Sequence, residues 1–252
     1  MPRMDDIPRF LPDGPVEGLV AGARKLHYNR RLFRVVAPRY DVVTRLLSWG
    51  RDQAWKRWLV EHLPEVAPHG LVVDLACGTG DIARRCARRF PEAGVLGCDA
   101  SMEMLREGRR RGEGRGVPEH ALADMSALPL RDQTVNVVTG GYALRNAPDL
   151  ERSLSDVARV LIPGGSAAFL DFSRSPRPAV WKAQYVVLRA WGALWGIVLH
   201  GNPHVYTYIA HSLATFPDRT RLRELMHHNG LEVVRSRKFF MGFAEAVVCR
   251  KV

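Results

Sequence analysis

The amino-acid sequence predicts one α/β domain built around a largely parallel β-sheet with helices on both faces. Two patterns support this fold class. After a helical opening, short apolar runs typical of strands alternate with helical patterns, and such alternation is typical of parallel strands joined by helical crossovers. The chain has 252 residues, 46% of them hydrophobic, so it can bury a sizeable core.

Strands and helices can be assigned along most of the chain. The predicted strands span residues 71–75, 95–99, 119–123, 135–140, 167–172, 231–240 and 244–251. The predicted helices span residues 17–35, 41–63, 81–90, 102–111, 149–161, 181–199 and 222–230. The last two strands form an antiparallel pair. We expect residues 1–35 to be a helical N-terminal extension and residues 36–252 to be the main domain.

A glycine turn follows the first predicted strand. The strand carries Asp74, and Gly78-Thr79-Gly80 then opens a helical pattern. A strand that stops at such a turn brings backbone N–H groups close to a ligand at the sheet edge. The spacing Asp-x-x-x-Gly-x-Gly differs from the Gly-x-Gly-x-x-Gly of dinucleotide folds. An acid before the turn suits a cationic or amino-bearing ligand such as S-adenosylmethionine (SAM). A nucleotide ligand and a purely structural turn remain alternatives.

Two more acids end strand-like runs at matched intervals. Asp74, Asp99 and Asp124 follow one another at intervals of 25 residues. A carboxylate at the end of the second strand can accept hydrogen bonds from both ribose hydroxyls of SAM. A carboxylate at Asp124 can accept from the adenine amino group. We therefore expect Asp99 to bind the ribose and Asp124 with Met125 to lie near the adenine.

The net charge is +11, with arginines concentrated in residues 24–51 and 84–115. Arginines on solvated helix faces explain this net positive charge without any binding partner. An anionic membrane surface is a second explanation, since each nearby basic residue contributes about 1 kcal/mol. Nucleic acid is a weaker third one, because no appended RNA-binding module is visible. We expect no nucleic-acid partner.

The cysteines and the N-terminus favour a cytoplasmic protein. Cys77, Cys86, Cys98 and Cys249 form no Cys-x-x-Cys pair, which predicts reduced thiols with neither a zinc site nor disulfides. Residues 1–13 contain acids and prolines and lack an apolar core, so a secretory signal is not expected. Peripheral contact with the inner face of the membrane stays open, as does a homodimer.

Residues 179–199 form a second unusual segment. The run is long enough to span a bilayer, but it contains Lys182 and Arg189, and each central charge would cost about 2.5–3.5 kcal/mol. We expect an inserted helix after the fifth strand. It either packs in the core or walls a lipophilic substrate pocket and touches a bilayer.

Short motifs distributed over residues 36–250 match a known family. They are Tyr40–Gly50, Asp74–Asp81, Ala143–Asn146, Pro163-Gly164-Gly165, Phe172-Ser173, Tyr206-x-Tyr208 and Pro217-Asp218. In these motifs the chain resembles the ubiquinone/menaquinone-biosynthesis C-methyltransferase family, a branch of the class I SAM-dependent methyltransferases. The resemblance implies a Rossmann-like, mostly parallel seven-stranded sheet with an antiparallel C-terminal strand, a helical N-terminal lid, and SAM as the cofactor.

The resemblance also implies roles for individual residues. It places the cofactor on Asp74, Gly78, Thr79, Gly80, Asp99, Asp124 and Met125. Gly141 stands where the family usually has a serine, so only backbone groups can reach the cofactor there. Arg145 matches an arginine proposed to position the activating water or the ring oxygen, with Asn146 beside it. Tyr40 matches a tyrosine of the lid. A solvated loop arginine is the alternative interpretation of Arg145.

The acceptor side departs from the family pattern. His211, Ala214 and Phe216 replace an acid, an arginine and a histidine. The methyl acceptor is therefore less well defined by the sequence than the cofactor.

Methylation of a ring carbon requires a nearby phenol, with a pKa near 10, to lose its proton. Arg145 stays protonated at neutral pH and would stabilise the phenolate. His204 and His211 are candidate bases, unless they are packing residues. The sequence predicts a SAM-dependent C-methyltransferase acting on a lipophilic reduced quinone, such as demethylmenaquinol or a ubiquinol precursor. An enzyme for another small phenolic metabolite and a catalytically inactive SAM-fold binding protein are the alternatives.

Overall fold

The computed structural model of the chain describes residues 22–37, 40–112 and 118–252. Its centre is a seven-stranded sheet with the strand order β3-β2-β1-β4-β5-β7-β6. The strands are β1 Leu71–Leu75, β2 Gly94–Asp99, β3 Glu119–Leu122, β4 Val135–Gly141, β5 Leu161–Phe172, β6 Leu231–Phe239 and β7 Ala244–Lys251. Strands β1 to β5 pair in parallel, and β7 is antiparallel to both of its neighbours. The predicted sheet is confirmed.

Helices surround the sheet, and three of them begin at a side-chain cap. They are α1 Gly22–Val36, α2 Tyr40–Leu47, α3 Asp52–Glu61, α4 Asp81–Arg89, α5 Met102–Arg111, α6 Leu150–Val160, α7 Pro178–His200, α8 His204–Thr215 and α9 Arg219–His228. Ser101, Asp149 and Asp218 cap α5, α6 and α9 by accepting hydrogen bonds from N–H groups of the first turn. Each cap fixes where the chain leaves the sheet edge and turns back along it.

The predicted helix at 41–63 is two helices. Trp49 and Gly50 have φ angles of 52° and 75°, and Gly50 donates a backbone hydrogen bond of 2.6 Å to Arg45. A left-handed conformation at Trp49 is unfavourable for a bulky side chain. Its indole, however, stacks on Trp191 and Phe240 with ring centroids 5.3 and 4.3 Å apart. Tertiary stacking therefore overrides the helical pattern at this point.

Helix α8 is absent from the sequence prediction, and it packs tightly on α7. A Cβ atom on Gly192 would lie 2.7 Å from the backbone oxygen of Tyr206, and one on Gly196 would lie 2.5 Å from that of Asn202. The two glycines let the backbones approach to a distance that no side chain allows. Ser212 of α8 accepts a hydrogen bond from Arg145, which lies in the turn after β4 at the carboxyl edge of the sheet.

Helix α1 closes over the same edge. Leu32 and Val36 are buried against Val205, Tyr206 and Tyr208 of α8 in a small apolar cluster beside the main core. The predicted domain boundary at 35/36 falls in the last turn of α1 and stays a prediction. Residues 1–21 of the predicted N-terminal extension lie outside the described residues.

Within the described ranges, no helix combines the length and apolar character needed to cross a bilayer. The predicted helix at 181–199 is confirmed as part of α7, which has 23 residues.

Candidate active site

A cleft opens at the carboxyl ends of β1, β2 and β4 and spans about 630 Å³, part of it open to solvent. Its lining includes the predicted cofactor residues Gly78, Asp99, Asp124, Met125 and Gly141. These residues lie far apart in sequence and meet because parallel strands end at one edge of the sheet. Helix α1 forms the opposite wall with Leu26, Asn29, Arg30 and Phe33.

Asp99 has the geometry expected of a ribose ligand. One carboxylate oxygen accepts a hydrogen bond of 2.8 Å from the Gly78 N–H, and the other accepts one of 2.8 Å from the Ser101 N–H. Each carboxylate oxygen has two lone pairs. Acceptor capacity therefore remains on the carboxylate, which fits a ribose ligand. Asp99 also ties the glycine turn to the end of β2.

Asp124 and Met125, which were predicted to lie near the adenine, line the same cleft. The Asp124 carboxylate accepts a hydrogen bond of 2.9 Å from the Ser126 N–H, and the buried Met125 follows it in the wall. At Gly141, a Cβ atom would lie 2.5 Å from the Cδ1 atom of Ile82. Ile82 thus fills the space that a serine side chain would need, which gives a physical reason for glycine at this position.

The remaining predicted cofactor residues lie behind the wall of the cleft. Asp74 is 1% exposed, accepting hydrogen bonds from the Thr139 hydroxyl at 2.8 Å and the Ala83 N–H at 3.1 Å. Burial raises the pKa of Asp74 to about 7. Thr79 is buried as well, and Gly80 caps α4 with φ 78°. The structure therefore gives Asp74 the role of joining β1, β4 and the start of α4 beneath the turn, not of lining the cleft.

A second cavity adjoins the first. It spans about 560 Å³, part of it open to solvent, and is walled by apolar side chains of α1, α2 and α8, including Leu32, Val43, Leu47 and Val205. Phe33, Tyr142 and Asn146 line both cavities. A molecule in the apolar cavity would consequently meet a molecule in the cofactor cleft at these three residues.

Arg145 lies at the polar end of the apolar cavity. It is 3% exposed, and its Nε lies 3.3 Å from an Asp171 oxygen, while its Nη1 donates to the Ser212 hydroxyl at 2.5 Å. The guanidinium also lies over the Phe172 and Tyr208 rings, 5.9 and 5.5 Å from their centroids. Arg145 is therefore buried in the wall of the cavity, and its hydrogen bonds fix its orientation. The alternative of a solvated loop arginine is excluded.

Tyr208 and Asn29 were not among the predicted site residues. The Tyr208 hydroxyl lies between the side-chain oxygen of Asn29, at 3.2 Å, and that of Asn146. Asn29 in turn donates a hydrogen bond of 2.8 Å to the Asn146 backbone oxygen. Burial raises the pKa of Tyr208, which keeps its hydroxyl protonated as a donor. The Tyr-x-Tyr motif pointed to Tyr208, whereas no sequence signal pointed to Asn29.

Tyr40, His204 and His211 were also predicted for the acceptor side. The Tyr40 side chain lies outside the described part of the structure. His211 faces α7, where its Nδ1 lies 3.4 Å from the Tyr185 hydroxyl, and His204 starts α8. The lining of the apolar cavity includes neither histidine. Among the described residues, no cluster of three or more metal-ligating side chains was found.

Comparisons with known proteins agree with this geometry. The family model described as "ubiE/COQ5 methyltransferase family" matches residues 22–251. The demethylmenaquinone methyltransferase of Thermus thermophilus is 37% identical over 80% of this chain and 92% of its own length. The ubiquinone/menaquinone biosynthesis C-methyltransferase UbiE of Acidiphilium cryptum is 38% identical over 89% of this chain and 91% of its own.

Among solved structures, geranyl diphosphate C-methyltransferase from Streptomyces coelicolor, bound to geranyl diphosphate and S-adenosyl-L-homocysteine, superposes with a TM-score of 0.61 at 16% identity. It covers 79% of this chain and 77% of that one. A putative methyltransferase of Haloferax volcanii, in complex with its Trm112 activator, superposes with a TM-score of 0.64 at 18% identity over 87% and 97% of the two chains. These likenesses support the fold. With the sheet order and the matched family model, they show that the chain belongs to the ubiE/COQ5 family of SAM-dependent methyltransferases.

Proposed function

We propose that the protein transfers a methyl group to a ring carbon of a lipophilic reduced quinone, of the demethylmenaquinol or ubiquinol-precursor type. The observation that carries this proposal is the apolar cavity that adjoins the cofactor cleft. A prenylated ring fits a cavity with aliphatic and aromatic walls and a polar end. The names of the two relatives, a demethylmenaquinone methyltransferase and a ubiquinone/menaquinone biosynthesis C-methyltransferase, support the same acceptor class.

The polar end of the cavity suits the chemistry of a phenol. SAM, when bound, supplies an electrophilic methyl group, and the residues of the chain must hold the ring and stabilise its anion. Arg145 provides a buried positive charge whose position is fixed by Asp171 and Ser212. A preorganised charge in a dry site stabilises a developing phenolate more than water does. Asn146 lies where the two cavities meet and can orient the ring hydroxyl.

The proposal can be tested with the purified chain, SAM carrying a labelled methyl group, and a short-chain prenyl naphthoquinol or benzoquinol kept reduced. We expect one labelled methyl on a ring carbon, identified by mass spectrometry and NMR. The oxidised quinone is the matched control and should give no product, because it lacks the phenol. Transfer only to hydrophilic phenols, or SAM binding without transfer to either quinol, would contradict the proposal.

We also propose that the outer face of α7 rests on an anionic bilayer, from which the acceptor enters. Large apolar side chains are exposed along this face, namely Val180, Val186, Val187, Leu194, Ile197 and Val198. Arg177, Lys182 and Arg189 are exposed beside them, and the α7 sequence has no acidic residue. This combination of shallow apolar contact and positive charge complements anionic headgroups.

Vesicle sedimentation tests whether the outer face of α7 binds an anionic bilayer. We expect the chain to pellet with phosphatidylglycerol vesicles at low salt and to be released at high salt, since screening shortens the reach of each charge to about 8–10 Å. Lys182→Gln with Arg189→Gln should weaken pelleting. Arg106→Gln, which removes an exposed charge from α5, is the control and should not. Equal pelleting with neutral vesicles, or a dimer held through α7 without vesicle binding, would overturn the assignment.

A further inference from the structure

Two asparagine side chains and one tyrosine hydroxyl meet where the cofactor cleft joins the apolar cavity. Asn29 of α1 lines the cofactor cleft, Tyr208 lines the apolar cavity, and Asn146 lines both. The Tyr208 hydroxyl donates toward the Oδ1 atom of Asn29, at 3.2 Å, and toward the Oδ1 atom of Asn146. Asn29 is buried, at 7% exposed, and the activity described so far gives it no role.

Backbone carbonyl groups fix the orientation of both side-chain amides. The Asn29 Nδ2 atom donates a hydrogen bond of 2.8 Å to the Asn146 backbone oxygen. The Asn146 Nδ2 atom donates one of 2.8 Å to the Tyr142 backbone oxygen. Because a carbonyl oxygen only accepts hydrogen bonds, the nitrogen of each amide must be the atom that faces it. Both amide oxygens are therefore turned toward the Tyr208 hydroxyl.

The amide oxygens outnumber the protons available to them. A tyrosine hydroxyl has a single proton, which it gives fully to one oxygen at a time. Among the described residues, the oxygens of Asn29 and Asn146 accept from no group other than Tyr208. One of the two oxygens is therefore always short of a donor, and a buried acceptor without a donor is unfavourable. A ligand that donates a hydrogen bond at this point would relieve the shortage.

The ring of a methyl acceptor has to approach this cluster. Methyl transfer needs the ring carbon and the methyl group within about 3–3.5 Å of each other. With the cofactor in one cavity and the acceptor in the other, the two reactants meet only where the cavities join. Asn146 lines that junction, together with Phe33 and Tyr142. We therefore expect a hydroxyl on the ring to come within reach of the amide oxygens of Asn146 and Asn29.

We propose that Asn29 and Asn146 select the reduced form of the acceptor by accepting a hydrogen bond from one of its hydroxyl groups. This inference rests on the quinol acceptor proposed above. A quinol has two hydroxyl groups, and only one has to ionise for methyl transfer, so the other can donate to the amide oxygen. An oxidised quinone has two carbonyl oxygens and no donor. Asn29 creates the selection because, without it, the Tyr208 proton would satisfy Asn146 alone.

Binding of the two redox forms tests this selection without turnover. The probes are a naphthoquinone that carries one prenyl group and the same compound reduced with dithionite under argon. Equilibrium dialysis measures the affinity for each, with S-adenosylhomocysteine present so that no methyl group can be transferred. We expect the unaltered chain to bind the quinol at least about tenfold more tightly than the quinone, because the quinone leaves a buried acceptor without a donor.

Two substitutions in the cluster should affect this affinity ratio differently. Asn29→Leu removes the surplus oxygen, so the preference for the quinol should fall to within about threefold. Tyr208→Phe removes the internal donor and leaves both amide oxygens short, so the preference should stay or rise. A purely structural role would weaken the binding of both redox forms equally in both variants. Asn229→Leu is the matched control, because this amide donates to the Leu225 backbone oxygen at the end of α9 and lines neither cavity.

The outcomes separate this selection from the proposed reaction. Equal affinity for the two redox forms in the unaltered chain would overturn the selection even if the quinol is methylated. An unchanged ratio in Asn29→Leu, or a ratio in Tyr208→Phe that falls to within about threefold, would overturn it as well. The Tyr208→Phe result decides the matter if thermal unfolding shows that Asn29→Leu is not folded.

The cofactor is the other source of a hydrogen-bond donor at this junction, through its amino group. Calorimetry with S-adenosylhomocysteine distinguishes the two sources. We expect Asn29→Leu to keep this affinity within about threefold, and a loss of more than about tenfold would assign the surplus oxygen to the cofactor and overturn the proposal. Preferential quinol binding that depends on Asn29, without methyl transfer, would support the selection and contradict the proposed reaction. Binding of neither redox form would contradict both.

Discussion

Replacing Asp99 with alanine should strongly weaken SAM binding. The carboxylate uses one acceptor site on each oxygen for the N–H groups of Gly78 and Ser101, both at 2.8 Å. The remaining acceptor capacity fits the ribose, and a hydrogen bond to a charged group is worth about 1.5–3 kcal/mol. In the variant, water can replace part of this hydrogen bonding to the ribose. We therefore expect a loss of at least about 2 kcal/mol, which is about 30-fold in Kd.

Isothermal titration calorimetry with S-adenosylhomocysteine measures this change without turnover. Glu119→Ala removes an exposed acid from the neighbouring strand β3 and is the matched control. Asp99→Asn is a second variant in case the alanine variant does not fold, because the asparagine keeps one oxygen that can accept a backbone N–H. A Kd within twofold of the unaltered chain for Asp99→Ala would show that the ribose does not bind at this carboxylate.

Three further predictions concern the acceptor side and the buried acid. Arg145→Ala should lower the turnover of a quinol far more than it lowers affinity for SAM; survival of turnover within threefold would make Arg145 a structural residue. Tyr208→Phe should lower kcat because it removes the hydroxyl between Asn29 and Asn146, while calorimetric SAM affinity stays within a few-fold; an unchanged kcat contradicts this. The pKa of Asp74 is about 7 in the folded chain, against 3.8 for an ordinary aspartate carboxyl, so the folded state holds the extra proton between these values. Unfolding free energy from this group therefore falls as pH rises from about 4 to 7. Asp74→Asn, which mimics the neutral form, should show a smaller drop in Tm between pH 5.5 and 8; an equal drop would place the titration elsewhere.

Local patterns in the sequence predicted most of the fold. Apolar runs of five to seven residues and the glycine turn mark strand ends, because burial and turn geometry act within a few residues. The prediction of one helix over residues 41–63 was wrong because of a tertiary contact. Its apolar spacing continues through Trp49, but stacking against Trp191 and Phe240 outweighs that local preference. Helix α8 was missed, although its Tyr-x-Tyr motif was recognised.

The sequence by itself determined the family and the sheet. It also predicted the edge at which the cofactor would bind, since the acids and the glycine turn follow strands whose ends must meet. Only the tertiary structure decided which of those acids faces the cleft. Asp74 and Asp99 look alike in sequence, yet Thr139 and Ala83 bury the first while the second lines the cavity. It also brought Asn29 of α1 to Asn146 and Tyr208, more than a hundred residues away. Contacts between distant segments depend on how packed elements fit together in three dimensions, and that information is not contained in any local pattern.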